Sequence, residues 1–273
     1  MKPSHRPEFN ALATRLQTIA AGRPAVFFIN PGNWGDSLIR EGAEAFLRWA
    51  NISYVPIRAK DIHKGRLTIE TAKAATGHPD PIMIYNGSGA LTTHYDILPR
   101  LANLATAFDT VVILPSTFAI PIDRNLFPKD THFFARDHFQ SQEYMPDSFF
   151  CHDMAFFLDI ASAAPIEPHG LFFREDAEAP KDGFMLPKSN VDLSRLGRAH
   201  TPVDRLLERI GRYAQVSTNR LHIAIAAIML GRRVHMAPND YFKIKAIFDS
   251  SIKSHYPNAY FFNSAKECLS HIS

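Results

Sequence analysis

The 273 residues are enough for one large or two modest domains, and 46% hydrophobic content with no apolar run near the ~20 residues that span a bilayer describes an ordinary soluble chain. The opening MKPSHRPEFN lacks the apolar core of a signal peptide, so a cytoplasmic location is expected, with Cys151 and Cys268 as free thiols. A net charge of +3 without a long Lys/Arg block gives no ground for nucleic-acid binding, but it suits anionic small molecules or a passing contact with acidic lipid.

Residues 8–21 place Phe9, Leu12, Ala13, Leu16, Ile19 and Ala20 at helical spacing, and Gly22 and Pro24 end that helix. The apolar run 25–30 predicts a buried strand, and the turn 31–37 opens a helix over 38–50. Strands follow at 52–57, 81–85, 110–114 and 132–135, with helices over 95–108 and 137–144. Small or polar residues sit just past the strand ends: Asn33, Gly35 and Asp36; Gly87, Ser88 and Gly89; Ser116; Arg136; Asp153. In open parallel sheets ligands bind beyond the carboxyl ends of the strands, so these residues are candidates as a set. Each has a plainer reading as well. Asp36 suits a helix cap, the glycines suit turns, and Arg136 can pair with Asp137.

After Asp159 the texture changes, and residues 161–170 hold the expected junction between an N-terminal lobe, 1–160, and a C-terminal lobe, 165–273. A strand over 170–173 ends at Arg174-Glu175-Asp176, and 177–201 is a long polar loop of the kind that is functional or mobile. A helix over 202–214 precedes the most telling stretch, 216–236. There Thr218-Asn219 reads as an N-cap pair, an apolar helix follows, Gly231 closes it, and a strand covers 234–236. The helix is apolar almost all round and should be buried, yet its first turn carries Arg220 and His222. A helix N-terminus favours an anion, and a guanidinium adds a fork for carboxylate or phosphate. The plainer reading pairs Arg220 with a structural Asp and leaves His222 a satisfied core histidine. Asn239-Asp240 caps a last long helix over 241–253, and 260–262 and 265–272 form a short tail.

The turn 31–37 lacks the Gly-Lys-Ser/Thr of a P-loop, no G-x-S-x-G elbow exists, and metal-ligand spacing is poor, with His152-Asp153 a bare dipeptide and His94 and Asp96 without a third partner nearby, so neither metal nor cofactor is expected. What remains is an anion receptor around Arg220, with Arg174 and Arg136, a candidate acid/base in His222, and carboxylates in Asp36 and Asp153. Two α/β halves with a cleft suit a two-substrate transfer.

These residues together resemble the polysaccharide pyruvyl transferase family. The resemblance is carried by the Gly-Asn-x-Gly-Asp turn at 32–36, Gly87-Ser88-Gly89, Ala135-Arg136-Asp137, Asp153-x-Ala155, Ser217-x-x-Arg220-Leu221-His222 and Lys243-Ile244. The chain departs from the pattern in a reduced second half and in Gly87-Ser88-Gly89 where three glycines are usual. The resemblance implies an α/β fold of two Rossmann-like, GT-B-like lobes with a smaller C-terminal one. It implies transfer of the pyruvyl unit of phosphoenolpyruvate onto two hydroxyls of a sugar in a lipid-linked exopolysaccharide repeat unit, leaving a ketal, at the inner membrane face. On that reading His222 is the acid/base, with Asp36 or Asp153 as the base. Arg220, Leu221, Asn219, Arg136, Arg174 and Lys243 hold the donor, and Asn33, Trp34, Gly87, Ser88, Gly89 and Ser116 meet the acceptor. The alternatives are a GT-B-type glycosyltransferase using a nucleotide sugar and a non-catalytic carbohydrate-binding protein.

Overall fold

The computed structural model describes residues 6–89 and 91–272. The chain forms two compact units, Met1–Pro31 with Ile39–Leu158, and Gly32–Leu38 with Asp159–Ser273.

The first unit runs α1 (Pro7–Ala20), β1 (Ala25–Ile29), α2 (Trp34–Trp49, whose residues up to Leu38 belong to the second unit), β2 (Tyr54–Arg58), α3 (Ala59–His63), α4 (Ile69–Ala74) and β3 (Ile82–Tyr85). It continues with α5 (Leu98–Ala105), β4 (Thr110–Ser116), β5 (Asp130–Ala135), α6 (Gln140–Tyr144) and β6 (Phe149–Phe150). The six strands form one parallel sheet in the order β2-β1-β3-β4-β5-β6. β1, β3 and β4 are buried at every position, as strands covered on both faces must be. β2 lies at the edge, where Pro56 is tolerated. The buried stripe of α1, Phe9, Leu12, Ala13, Leu16 and Ala20, contributes Phe9 to an aromatic cluster in which Phe157 meets Phe9 and Phe46 edge-on at 5.0 and 5.2 Å. Strand order turns back between β1 and β3, which puts the switch point of the sheet at Asn30 and 86–89.

The second unit contains β7 (Glu167–Leu171), α7 (Asp204–Gly211), β8 (Tyr213–Thr218), α8 (Leu221–Met229), β9 (Arg233–Met236), α9 (Lys243–Ile247), β10 (Ala259–Phe261) and α10 (Ala265–Ser270). Its four strands are parallel, in the order β10-β9-β8-β7. Helix α8 packs on β8, β9 and α7, and every residue from Ile223 to Ile228 is buried, in line with its all-round apolar sequence.

Several elements differ from the sequence expectation for identifiable reasons. β7 begins at Glu167 rather than at Gly170 and ends at Leu171, because an edge strand can carry polar residues such as Glu167 and His169 and shows no apolar period. The expected helix over 137–144 starts only at Gln140, because the Asp137 carboxylate accepts from the Phe139 and Ser141 N–H groups at 3.2 and 3.0 Å and holds the chain in a turn. The expected helix over 95–108 starts at Leu98, with Pro99 in its first turn. The helix expected over 241–253 is α9 followed by a π-helical turn, Phe248–Ile252. Among the described residues no helix is long and apolar enough to cross a membrane.

Candidate functional site

In the second unit the carboxyl ends of β7, β8 and β9 carry a charged network. Thr218 and Asn219 build it. The Thr218 hydroxyl donates to the Phe172 carbonyl at 2.6 Å and accepts from the Arg220 N–H at 2.9 Å, and Asn219 Oδ1 accepts from the Arg174 N–H at 2.7 Å. The expected N-cap pair therefore ties β8 to the chain leaving β7. Arg220 occupies the cap position of α8, and no side-chain oxygen caps that end. The first backbone bond of the helix runs from Ala224 N–H to the Arg220 carbonyl.

The side chains then interlock. Arg220 grips Asp192 with two bonds, Nε to Oδ1 at 2.9 Å and Nη2 to Oδ2 at 2.5 Å, and its Nη2 also lies 2.7 Å from Asp176. Arg174 holds Asp176 through Nε at 2.7 Å and Nη2 at 3.1 Å, and Glu178 through Nη1 at 2.7 Å. Glu178 accepts from Lys243 Nζ at 2.5 Å and from Asn239 Nδ2 at 3.3 Å. The fork of Arg220 thus holds a carboxylate, the pairing that the plainer sequence reading expected. Arg174 and Lys243 are committed in the same way. Arg220, Arg174 and Lys243 are only 5%, 4% and 7% exposed, whereas the Asp176 side chain is 30% exposed and is the accessible member. Burial pushes the Asp176 carboxyl up, but the bonds and charge of Arg174 and the charge of Arg220 outweigh it and hold it below its ordinary value. Burial likewise pulls Arg174 down, and Asp176 and Glu178 more than reverse that.

The turn Gly32–Leu38 belongs to this unit. Asn33 Oδ1 accepts from the Gly35 N–H at 2.8 Å, and Asp36 Oδ2 accepts from the Asn33 N–H at 2.8 Å, a reciprocal capping box that starts α2 at Trp34, before the expected helix. Asp36 thus takes the capping role and belongs to the second unit. Trp34 is buried, its Nε1 donates to the Pro202 carbonyl at 3.0 Å, and its ring covers Gly197, so it offers no open face to a sugar. Half-buried His222, in the first turn of α8, lies against Gly35.

The remaining candidates lie in the first unit. Arg136 and Asp153 are fully buried and bonded to each other; Arg136 Nε also donates to Thr117 Oγ1 at 2.8 Å, and Asp153 Oδ1 accepts from the Ala155 N–H at 2.9 Å. Arg136 is therefore not paired with Asp137, and neither it nor Asp153 faces solvent. Ser88 and Ser116 are also fully buried: Ser88 N–H donates to Ser116 Oγ at 3.1 Å, and Ser88 Oγ accepts from Asn30, which in turn accepts from Tyr85 at 2.7 Å. Gly87 passes so close to Pro115 that a Cβ would meet its carbonyl at 2.4 Å, a contact only glycine permits. Gly89 and Asn33 keep partial exposure.

The sequence reading missed Asp192, Glu178, Asn30 and Asn86. Asp192 and Glu178 sit in the long polar loop, where no local period marks them. Asn86 directly precedes Gly87 and is fully buried, with no side-chain hydrogen bond among the described residues. Among those residues no cluster of His, Cys, Asp and Glu could hold a metal ion.

The family model described as polysaccharide pyruvyl transferase matches residues 33–241. No curated protein matches the chain significantly. A crystal structure of a functionally uncharacterized protein from Klebsiella pneumoniae subsp. pneumoniae is similar, with a TM-score of 0.75 and 23% identity over 95% of this chain and 100% of that one. At that identity the likeness supports the α/β fold alone.

Proposed function

Because the chain belongs to the polysaccharide pyruvyl transferase family, we propose that it moves the pyruvyl unit of phosphoenolpyruvate onto two hydroxyls of one sugar in an exopolysaccharide repeat unit, forming a cyclic ketal. The observation that carries this reading is the joining of Arg174 and Arg220 through Asp176 at the carboxyl ends of β7 and β8, with His222 two residues further on in the first turn of α8, inside the matched region. We read the two units as the lobes of a GT-B-like transferase, the first on the acceptor side and the second on the donor side. The acceptor is carried on a lipid, and the enzyme meets it at the inner membrane face from the cytoplasm.

The donor carries a carboxylate and a phosphate. Asp176 bridges both guanidiniums and is the most exposed of their partners, so the donor carboxylate takes its place between Arg174 and Arg220. Asp192 and Glu178 hold the arginines in position, and we assign Asn219, Leu221 and Lys243 to the same donor site. His222, as imidazolium, gives its proton to C3 of the enol while a sugar hydroxyl attacks C2. Asp36, half-buried in the turn that touches His222, takes the hydroxyl proton. Phosphate leaves, and the neighbouring hydroxyl captures the oxocarbenium-like centre, closing the ring and returning its proton to the now neutral His222. Acid/base assistance of this kind is worth ~10²–10⁴-fold. Arg136 and Asp153, engaged with each other, take a structural part.

The test is to incubate the protein with phosphoenolpyruvate and a panel of lipid-linked or nitrophenyl hexosides, following phosphate release and the mass of a ketal product. Ketal formation that disappears in His222→Ala is expected. Stabilisation by UDP or GDP instead of phosphoenolpyruvate, with no ketal from any acceptor, would overturn it in favour of a nucleotide-sugar transferase.

A further inference from the structure

We propose that Gly35 is a positioning residue for His222: the missing side chain makes the seat in which the imidazole ring rests, and so sets the direction of its proton. This rests on the reading of His222 as the acid. A Cβ at Gly35 would lie 2.7 Å from His222 Nδ1, 3.1 Å from its Cβ and 3.1 Å from Asn33 Oδ1. The backbone gives no other reason for glycine. Gly35 is not among the residues with positive φ, and it stands in the first turn of a helix, where glycine is a weak choice. Space is therefore what the position requires.

Neither backbone segment can retreat to make room. The capping box holds the turn from within. From outside, the Ala199 N–H donates to the Gly32 carbonyl at 3.1 Å, Trp34 Nε1 to Pro202, and the Ser37 hydroxyl to Thr201. On the other side Leu221 and Ile223, flanking His222, are buried at 4% and 0% exposure, so α8 cannot shift without moving the core. A methyl group at position 35 must be accommodated by the His222 side chain, which rotates away. The same turn carries Asp36, so the capping bonds that hold the seat under His222 also hold the carboxylate assigned to proton transfer.

Gly35→Ala should lower kcat about 10- to 100-fold, part of the range that acid/base assistance supplies, while KM for phosphoenolpyruvate stays unchanged. Added to His222→Gln, the same change should cost no further rate, because the group it displaces is gone. Independently of turnover, the His222 imidazole signals in an NMR titration, assigned by comparison with His222→Gln, should shift in Gly35→Ala. If Gly35→Ala folds poorly, His222→Ala in the same chain should restore the melting temperature by vacating the space. Wild-type kcat with an unmoved His222 titration, a further loss in the His222→Gln background, or no rescue by His222→Ala would each overturn the positioning role. A wild-type protein that makes no ketal while the titration still shifts would sink the pyruvyl-transfer reading and leave the packing claim standing.

Discussion

Asp176 is held by two arginines at once, and this gives it a measurable acid signature. Its folded-state pKa lies below the ordinary 3.8, so its contribution to stability is present above that value and is lost as the pH falls through the lower, folded one. Asp176→Asn should flatten the acid limb of a plot of melting temperature against pH. It should also lower KM for phosphoenolpyruvate about fivefold, since a neutral amide competes ~1 kcal/mol less well for charged donors. A higher KM would show that Asp176 helps the donor rather than yielding to it. Asp153 behaves differently. Its removal strands the buried Arg136, so Asp153→Asn should cost about 3–5 kcal/mol in denaturant unfolding. Unchanged stability with lost turnover would return Asp153 to the chemistry. Arg220 and His222 stand out in the sequence because charge at the start of an apolar helix is conspicuous. Their partners do not: Asp192 lies in an irregular segment, and only the folded chain brings it to Arg220.

At the scale of elements, α2 depends on close approach. A Cβ at Gly42 would meet the Met154 carbonyl at 2.0 Å, and because that atom is backbone it cannot swing aside. Gly42→Ala should therefore destabilise by about 1–3 kcal/mol despite its better helix propensity, read from the denaturant midpoint. The buried strands β1, β3 and β4 were plain from their unbroken apolar runs. The edge strand β7 was not, because exposure removes the pattern on which such a reading relies. Thr218-Asn219 was recognised as special but misread: local sequence marks a residue that bonds backbone, and it does not say whether that backbone is its own helix or the chain leaving a neighbouring strand.

At the scale of the molecule, the alternation of strands and helices announced two parallel α/β sheets. The membership of Gly32–Leu38 in the second unit was beyond reach, since it rests on contacts with residues 197–202 and His222 far along the chain. The second sheet also carries a pH dependence. Burial holds His169 below the ordinary 6.5, and burial with the charge of His169 and its other cationic neighbours does the same for His235. Imidazoles depressed in the folded state contribute stability that is complete above 6.5 and fades as the pH falls below it. Melting should thus be level above neutrality and decline toward pH 5, and replacing both with Gln should lessen that decline.

Arg174, Arg220 and Lys243 face Asp176, Glu178 and Asp192 in equal number. Seen from a distance such an arrangement is nearly neutral and casts little field into solvent. Arrival of an anionic donor should then owe little to long-range attraction, and its association rate should barely change between low and moderate salt. Discrimination falls instead on geometry at close quarters, where only a ligand shaped to displace a resident carboxylate gains entry.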